Sequence, residues 1–272
     1  MTGYAADLDL AHLLADRADA IATARFRALD LRVESKPDLT PVSDADTAVE
    51  REIRALLAEH RPADGVLGEE YGAQRASDPD GRRWIIDPID GTKNFVRGVP
   101  IWATLIALYD GDRPAVGVVS APALGRRWWA SLGAGAYAGP GPAAGERIGV
   151  SAVRHLADAS FCYSSLTGWE RAGRLDAMLD LMRGTWRTRA YGDFYGHMLV
   201  AEGALDVMVE PELSLWDVAA LVPIITEAGG TVTDLAGRAV PPGDPGTDSS
   251  VVTTNGALHA DILARLDRPA ER

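Results

Sequence analysis

One stretch of the chain, Trp84–Phe95, constrains its fold and chemistry more than any other. It opens as an apolar run that favours a β-strand, continues through Asp87, Pro88 and Asp90, and then presents Gly91-Thr92. Because proline disfavours the α region at the preceding residue, the chain is expected to turn sharply here and bring the two carboxylates together. Carboxylates at a strand end suit a divalent cation, and a glycine followed by a hydroxyl at a helix start suits a phosphate. The stretch therefore predicts metal-assisted phosphoryl chemistry.

The same stretch has a plainer interpretation. An Asp-Pro turn followed by an Asp-Gly cap, with Thr92 as an ordinary helix-capping residue, occurs in proteins of many functions. The choice depends on whether carboxylates from elsewhere in the chain join Asp87 and Asp90.

Composition limits the class of protein. The chain has 272 residues, 47% of them apolar, which is enough for one large domain or two halves that share a core. No apolar run approaches the roughly 20 residues that span a bilayer, and the N-terminal residues lack the parts of a signal peptide, so we expect a cytoplasmic protein without a membrane partner. The net charge of −12 argues against a nucleic-acid partner. An anionic substrate would need metal ions to hold it.

Three charged residues upstream are candidates for the same site. A helix is predicted from Ser43 or Asp44 to His60, and Asp44 is either a first-turn cap or a site residue. A short strand ends in two adjacent glutamates, one of which can point inward, and Glu69 is the candidate for a third carboxylate. Lys36 lies in a predicted loop, where it is either a solvated charge or a group near the metal.

The chain divides into two predicted halves, residues 1–145 and 146–272, because a stretch rich in glycine and proline ends the first. The first half has strands joined by a hairpin loop, typical of antiparallel sheet, and a polar surface loop at 71–83. The second half alternates strands and helices. This pattern predicts a layered α/β (α+β) protein with two sheets, the first half carrying most metal ligands.

Three motifs carry a resemblance to a known family: Gly68-Glu69-Glu70, the stretch Asp87–Phe95, and Trp216–Ala220. Together, in order and spacing, they resemble the signatures of the inositol monophosphatase family of magnesium-dependent, lithium-sensitive phosphatases. The resemblance covers essentially the whole chain, although any one motif alone would be weak. It implies a five-layer α-β-α-β-α sandwich of the inositol monophosphatase / fructose-1,6-bisphosphatase type, a homodimer, and hydrolysis of a small phosphate monoester with two or three Mg²⁺ ions.

Carried over residue by residue, the resemblance assigns a metal site and a catalytic pair. The implied metal ligands are the carboxylates of Glu69, Asp87, Asp90 and Asp217 and the backbone carbonyl of Ile89. Such oxygen donors suit Mg²⁺, and the absence of clustered histidine or cysteine argues against zinc. Thr92 is implied to orient or deprotonate the attacking water while Asp44 accepts from its hydroxyl, and Glu69 is a further catalytic candidate. Asp217 would also cap a predicted helix over 218–228.

The resemblance also implies residues that bind the substrate. They are Asp90, Gly91, Thr92, Arg189, Gly192, Asp193, Glu210 and Asp217. The stretch 189–197 resembles the Arg-x-x-Gly-Asp-x-Tyr-Gly-Tyr pattern of the histidinol-phosphate phosphatase branch, with Phe194 where cysteine and His197 where tyrosine is expected. Carboxylates at Asp193 and Glu210 suit the ammonium and imidazole groups of histidinol phosphate, which an inositol ring lacks.

Other functions stay open at this point. An inositol-1-monophosphatase or a broad sugar-phosphate phosphatase would use the same metals, and a non-catalytic metabolite-binding homologue would be expected to lose a metal carboxylate. The motif spacing argues against a haloacid dehalogenase-type phosphatase. Arg189 is expected to contact the phosphate, a neighbouring subunit or a structural acid, and His197 is expected to be a packed or partly exposed residue and not a catalytic base.

Overall fold

The structure is a computed structural model that describes residues 3–37, 40–74, 76, 81–240 and 249–267. Parts of two predicted loops, residues 38–39 and 75 with 77–80, lie outside the described residues. The α-helices are α1 (Ala5–Arg25), α2 (Asp44–His60), α3 (Thr92–Arg97), α4 (Leu166–Arg171), α5 (Leu175–Arg183), α6 (Asp193–Ala201), α7 (Leu215–Ala219), α8 (Leu221–Glu227) and α9 (His259–Leu266).

The strands form two large sheets and one small hairpin within the described residues. They are β1 (Val33–Ser35), β2 (Pro41–Ser43), β3 (Gly65–Gly68), β4 (Gly72–Gln74), β5 (Arg82–Asp90), β6 (Ala103–Asp110), β7 (Arg113–Ala121), β8 (Arg126–Ser131), β9 (Gly135–Gly139), β10 (Glu146–Arg147), β11 (Ser160–Tyr163), β12 (Arg187–Arg189), β13 (Val207–Leu213), β14 (Thr231–Thr233) and β15 (Ser249–Thr254). The larger sheet has the order β10-β9-β8-β7-β6-β5-β3-β4, and the smaller sheet has the order β12-β11-β13-β15-β14.

Four apolar clusters lie between the helices and sheets of the described residues. One joins α1 and α2 to a face of the larger sheet, and it includes Leu14, Ile53 and Trp84. A second lies between the other face and α6, α7 and α8. The third packs α4, α5 and α9 on one face of the smaller sheet. A fourth, small cluster joins α6 to the other face of this sheet through Val200 and Met208. In the part of the chain that the structure describes, the order of layers is the predicted α-β-α-β-α sandwich.

Two predictions about the bounds of secondary-structure elements are wrong. Part of the predicted loop at 71–83 is the edge strand β4, which pairs antiparallel with β3, and β5 already begins at Arg82. The predicted helix over 218–228 is two short helices, α7 and α8, which adjoin at Ala220. The division into halves at residue 145 stays a prediction, and the second cluster contains residues from both halves, such as Leu105 and Ile224.

The central stretch does not turn at Pro88, contrary to expectation. Strand β5 runs through the proline to Asp90, and its pairing with β6 shifts where Asp87 lies opposite Leu105 and Asp90 lies opposite Ala103. One extra residue on β5 therefore forms a β-bulge. Because alternate strand residues face opposite sides, carboxylates three positions apart would diverge without it. The bulge is what lets both carboxylates face one side.

Candidate active site

Three carboxylates from distant parts of the chain meet at the end of β5. Ligand oxygens of Asp87, Asp90 and Asp217 all lie within 4.8 Å of one another, an arrangement that could hold a metal ion. Asp87 is 1% exposed and Asp90 is 9% exposed. Asp217 lies in the first turn of α7, where its Oδ2 accepts from the Ser214 amide at 2.9 Å. These three residues form the acidic cluster.

Ionisation of the acidic cluster is unfavourable without a cation, because its carboxylates are close together and shielded from water. Burial raises the pKa of Asp87 and Asp90 well above the ordinary value, and neighbouring carboxylates add to the shift. Burial and the charge of Glu69 also raise the pKa of Asp217 to about 7. Buried, mutually repelling carboxylates with oxygen as their donor atom fit a hard divalent cation such as Mg²⁺.

Glu69 lies beside the acidic cluster. Its charge contributes to the raised pKa of Asp87 and of Asp217, which means that the Glu69 carboxylate lies close to both. Lys36 Nζ donates to Glu69 Oε1 and to Glu70 Oε1, each at 2.7 Å. Lys36 is therefore not a solvated loop charge, and it holds the two glutamates at one edge of the site.

A buried glutamate that is not among the predicted site residues supports this edge. Glu50 on α2 is fully buried, accepts from the backbone amides of Glu70 and Tyr71 at 2.7 and 3.2 Å, and accepts from Arg54 Nε at 2.7 Å. Gly68 makes room for it, since a Cβ there would lie 2.0 Å from Glu50 Oε1. This buried carboxylate thereby fixes the turn that presents Glu69.

The partner of Thr92 is Asp46, and the predicted contact with Asp44 is wrong. Thr92 Oγ1 lies 3.3 Å from Asp46 Oδ1 and 3.0 Å from the Ile89 carbonyl oxygen, and its single proton can go to either acceptor. Asp44 instead pairs with Arg25 Nη2 at 2.8 Å, on the outer side of α2.

Asp46 is positioned tightly for this contact. It is fully buried, and its Oδ2 accepts from the Ser43 amide at 2.8 Å and the Ser43 hydroxyl at 2.6 Å, which leaves Oδ1 toward Thr92. Burial raises its pKa to about 6. The helical spacing was a usable signal, because Asp46 lies three and seven residues before the buried Val49 and Ile53.

The other predicted residues of the central stretch surround Thr92. Ile89 is buried, its amide donates to Asp87 Oδ1 at 3.0 Å, and its carbonyl faces the Thr92 hydroxyl. Gly91 has φ +80°, a conformation that favours glycine, and precedes the six residues of α3. The backbone therefore turns at Gly91 into α3 directly after the two acids.

The start of α6 brings residues of the second half to this site. The Phe194 amide donates to Asp90 Oδ2 at 2.7 Å, and Asn94 Nδ2 donates to Asp193 Oδ2 at 2.9 Å. Asp193 follows Gly192 and has φ +48°, which is uncommon for a residue with a side chain. Burial and the charge of Glu210 raise the pKa of Asp193 to about 6.

Glu210 and Arg189 have different positions relative to the site. Glu210 on β13 is 4% exposed, and its charge contributes to the raised pKa of Asp90, Asp193 and Asp217. Arg189 is exposed on the edge strand β12, and its Nη1 donates to the Thr188 carbonyl at 2.7 Å. Within the described residues it has no side-chain contact with the acidic cluster, so its predicted substrate contact stays a prediction.

The layered fold and the acidic cluster beside a threonine hydroxyl define a candidate metal-dependent hydrolase. The chain belongs to the inositol monophosphatase family, whose sequence profile matches residues 6–269. It is 57% identical to the histidinol-phosphatase of Streptomyces coelicolor, over 98% of this chain and 99% of the relative, and 55% identical to that of Mycobacterium tuberculosis, over 96% and 98%. An inositol monophosphatase structure from Zymomonas mobilis superimposes with a TM-score of 0.83 at 32% identity, over 98% of this chain and 100% of that one.

Among the described residues, no helix is both long enough and apolar enough to cross a membrane.

Proposed function

We propose that the protein is a Mg²⁺-dependent histidinol-phosphatase, which hydrolyses L-histidinol phosphate to L-histidinol and phosphate in histidine biosynthesis. The observation that carries the proposal is the position of Asp193 and Glu210, two carboxylates electrostatically coupled to the acidic cluster. A substrate held there by its phosphate would meet negative charge at its other end. Ammonium and imidazole groups gain charge-assisted hydrogen bonds from such acids, whereas an inositol ring offers hydroxyls. Identity of 57% and 55% to histidinol-phosphatases over nearly the full length supports the same substrate.

The residues that would hold the metal ions are Asp87, Asp90, Asp217, Glu69 and the carbonyl of Ile89. When bound, Mg²⁺ supplies positive charge that offsets the charge of the phosphate and makes water more acidic. Thr92 lies beside these ligand residues, since its hydroxyl contacts the Ile89 carbonyl. The hydroxyl can orient the attacking water while Asp46 Oδ1 accepts the proton of Thr92 Oγ1. The water oxygen bonds to phosphorus and the ester P–O bond breaks. One of the two water protons stays on the phosphate, and the other goes to the alcohol oxygen of histidinol.

The proposal extends to features that family membership supports. We expect a homodimer in the cytoplasm, inhibition by lithium, and two or three Mg²⁺ ions at each site. The amides of Gly91 and Thr92 are proposed to hold phosphate oxygens, and Arg189 to reach the substrate or a neighbouring subunit.

Metal binding should change thermal stability in a pH-dependent way. Without metal, the pKa of Asp217 is about 7 and that of Asp46 about 6, against an ordinary 3.8. Between about pH 4 and 7 the folded state thus binds more protons than the unfolded state, so the free energy of unfolding of the metal-free protein falls as pH rises. Mg²⁺ favours the ionised carboxylates, and we expect it to raise Tm by about 5 °C at pH 8 and by less than half as much at pH 5.

Differential scanning fluorimetry in EDTA or MgCl₂ at the two pH values measures this difference. Asp217→Asn is the matched variant, in which the extra gain at pH 8 should shrink because one of the titrating ligands is gone. Equal Mg²⁺-induced shifts of Tm at pH 5 and pH 8 in the wild type would contradict the assignment of the acidic cluster as the metal site.

A comparison of substrates tests the proposed function. We expect kcat/KM for L-histidinol phosphate to exceed that for myo-inositol 1-phosphate and for glycerol 2-phosphate by at least about 100-fold, since two charged contacts are available to the histidinol portion alone. Phosphate release by the purified protein at saturating MgCl₂ gives these values. A preference for myo-inositol 1-phosphate would overturn the choice of substrate and leave the reaction class in place.

A further inference from the structure

His197 is buried behind the candidate substrate site. It lies on α6, is 0% exposed, and occupies the position where the branch pattern has tyrosine. Its Nε2 lies 3.2 Å from Glu210 Oε1 on β13, and its Nδ1 lies 2.8 Å from Thr253 Oγ1 on β15. Each ring nitrogen therefore has one polar partner, and both partners are buried.

The chemistry of the two partners determines where the protons are. An ionised carboxylate only accepts hydrogen bonds, so the bond to Glu210 requires a proton on His197 Nε2. In a neutral ring, Nδ1 is then an acceptor, and the Thr253 hydroxyl must donate to it. With a neutral ring, the hydrogen bonds run in one direction, from the Thr253 hydroxyl to His197 Nδ1 and from His197 Nε2 to Glu210.

Helix α6 connects this chain to the other substrate acid. Asp193 and His197 are four residues apart, so they lie on one side of the helix. Asp193 extends from the start of α6 and is held by Asn94, while His197 lies one turn further and holds Glu210. One helix thus sets the positions of both carboxylates.

We propose that His197 is a positioning residue for substrate specificity: its Nε2–H holds the Glu210 carboxylate in one orientation, toward the cationic part of the substrate. The inference rests on the proposed function, because it assumes that Glu210 contacts the histidinol portion. Within the described residues, His197 makes its side-chain hydrogen bonds to Thr253 and Glu210 and none to the acidic cluster or Thr92. Its loss should therefore weaken binding of a cationic ester and leave the chemical step on a simple ester unchanged.

Two substitutions at this position separate the hydrogen bond from packing. His197→Leu removes the donor, and His197→Gln retains an amide donor close to the position of Nε2. With His197→Leu, we expect KM for L-histidinol phosphate to rise about tenfold, kcat to stay within about threefold, and kcat/KM for glycerol 2-phosphate to stay within about twofold. His197→Gln should restore KM to within about threefold of the wild type.

Steady-state kinetics with both esters, together with Tm for each variant, test the inference. Equal losses of kcat/KM on the two esters, or no rise in KM for L-histidinol phosphate, would overturn it. If His197→Leu does not fold, Thr253→Val replaces it, because this variant leaves the ring in place and removes the donor to Nδ1. Thr253→Val should raise KM for L-histidinol phosphate alone by about threefold, and an unchanged KM would overturn the inference.

The wild type serves to distinguish failure of this inference from failure of the proposed function. If the wild-type protein shows no preference for L-histidinol phosphate, the proposed function is wrong. If the wild-type protein has this preference and His197→Leu keeps it undiminished, only the inferred role of His197 is wrong.

Discussion

Replacing Asp90 by asparagine is expected to lower kcat for any phosphate ester by about 10³-fold or more, while the fold is retained. Asp90 is one of the three carboxylates of the acidic cluster, and asparagine keeps the side-chain volume while removing the charge that binds a cation. Loss of a metal-ion contribution of about 4 kcal/mol to the transition state gives a factor of this size. Phosphate release from L-histidinol phosphate at saturating MgCl₂ measures it.

The stability of Asp90→Asn provides an internal check. Burial and the neighbouring acids raise the pKa of Asp90 well above its ordinary value, so the ionised side chain opposes folding at neutral pH when no metal is bound. In EDTA at pH 8 the variant should thus melt at the wild-type temperature or above it. Asp112→Asn, in the exposed loop between β6 and β7, is the control and should leave kcat unchanged. Wild-type turnover by Asp90→Asn would show that the site is wrongly assigned.

Replacing Asp46 by asparagine is expected to lower kcat by about 100-fold or more, whereas Asp44→Asn should stay within about threefold of the wild type. The two acids lie two residues apart on α2, yet only Asp46 contacts Thr92, and Asp44 pairs with Arg25 on the outside. The two variants make the same chemical change at nearly the same place in the sequence. They differ in which side of α2 carries the changed side chain. Steady-state kinetics and Tm for both variants give the comparison.

A double variant tests whether Asp46 acts through Thr92. If the two residues work as a unit, Thr92→Val should lower kcat about as much as Asp46→Asn, and the combination should be little worse than either alone. Additive losses would mean that Asp46 supports the site in another way, through its hydrogen bonds to Ser43. A larger loss in Asp44→Asn than in Asp46→Asn would contradict the structure of this pair.

The order of strand and acids in the central stretch was enough to predict that its carboxylates meet, but the local geometry was not predicted. The sequence indicated that Asp87 and Asp90 converge, and the structure confirms this. The cause differs, because a bulge against β6 and not a sharp turn brings them to one side. A bulge depends on the register with the neighbouring strand, and a single strand's sequence does not contain that register.

The choice between Asp44 and Asp46 could have been made from the sequence. Both are first-turn acids of α2, and capping alone does not distinguish them. The spacing to Val49 and Ile53 does, because it places Asp46 on the buried side of the helix.

Glu50 and His197 are different cases, since their roles depend on partners far along the chain. Glu50 is recognised only once the turn at Glu70 and Tyr71 lies over it, and His197 only once β13 and β15 are adjacent. No local pattern of apolar and polar residues encodes these contacts.

The most direct test of the account is phosphate release from L-histidinol phosphate by protein freed of metal with EDTA and then titrated with MgCl₂. We predict negligible release before Mg²⁺ is added and saturable recovery afterwards, with no recovery in Asp90→Asn at the same concentrations. Phosphate release that EDTA does not reduce would contradict the claim that these acids form the catalytic metal site of a histidinol-phosphatase. A lack of phosphate release at every Mg²⁺ concentration would contradict it as well.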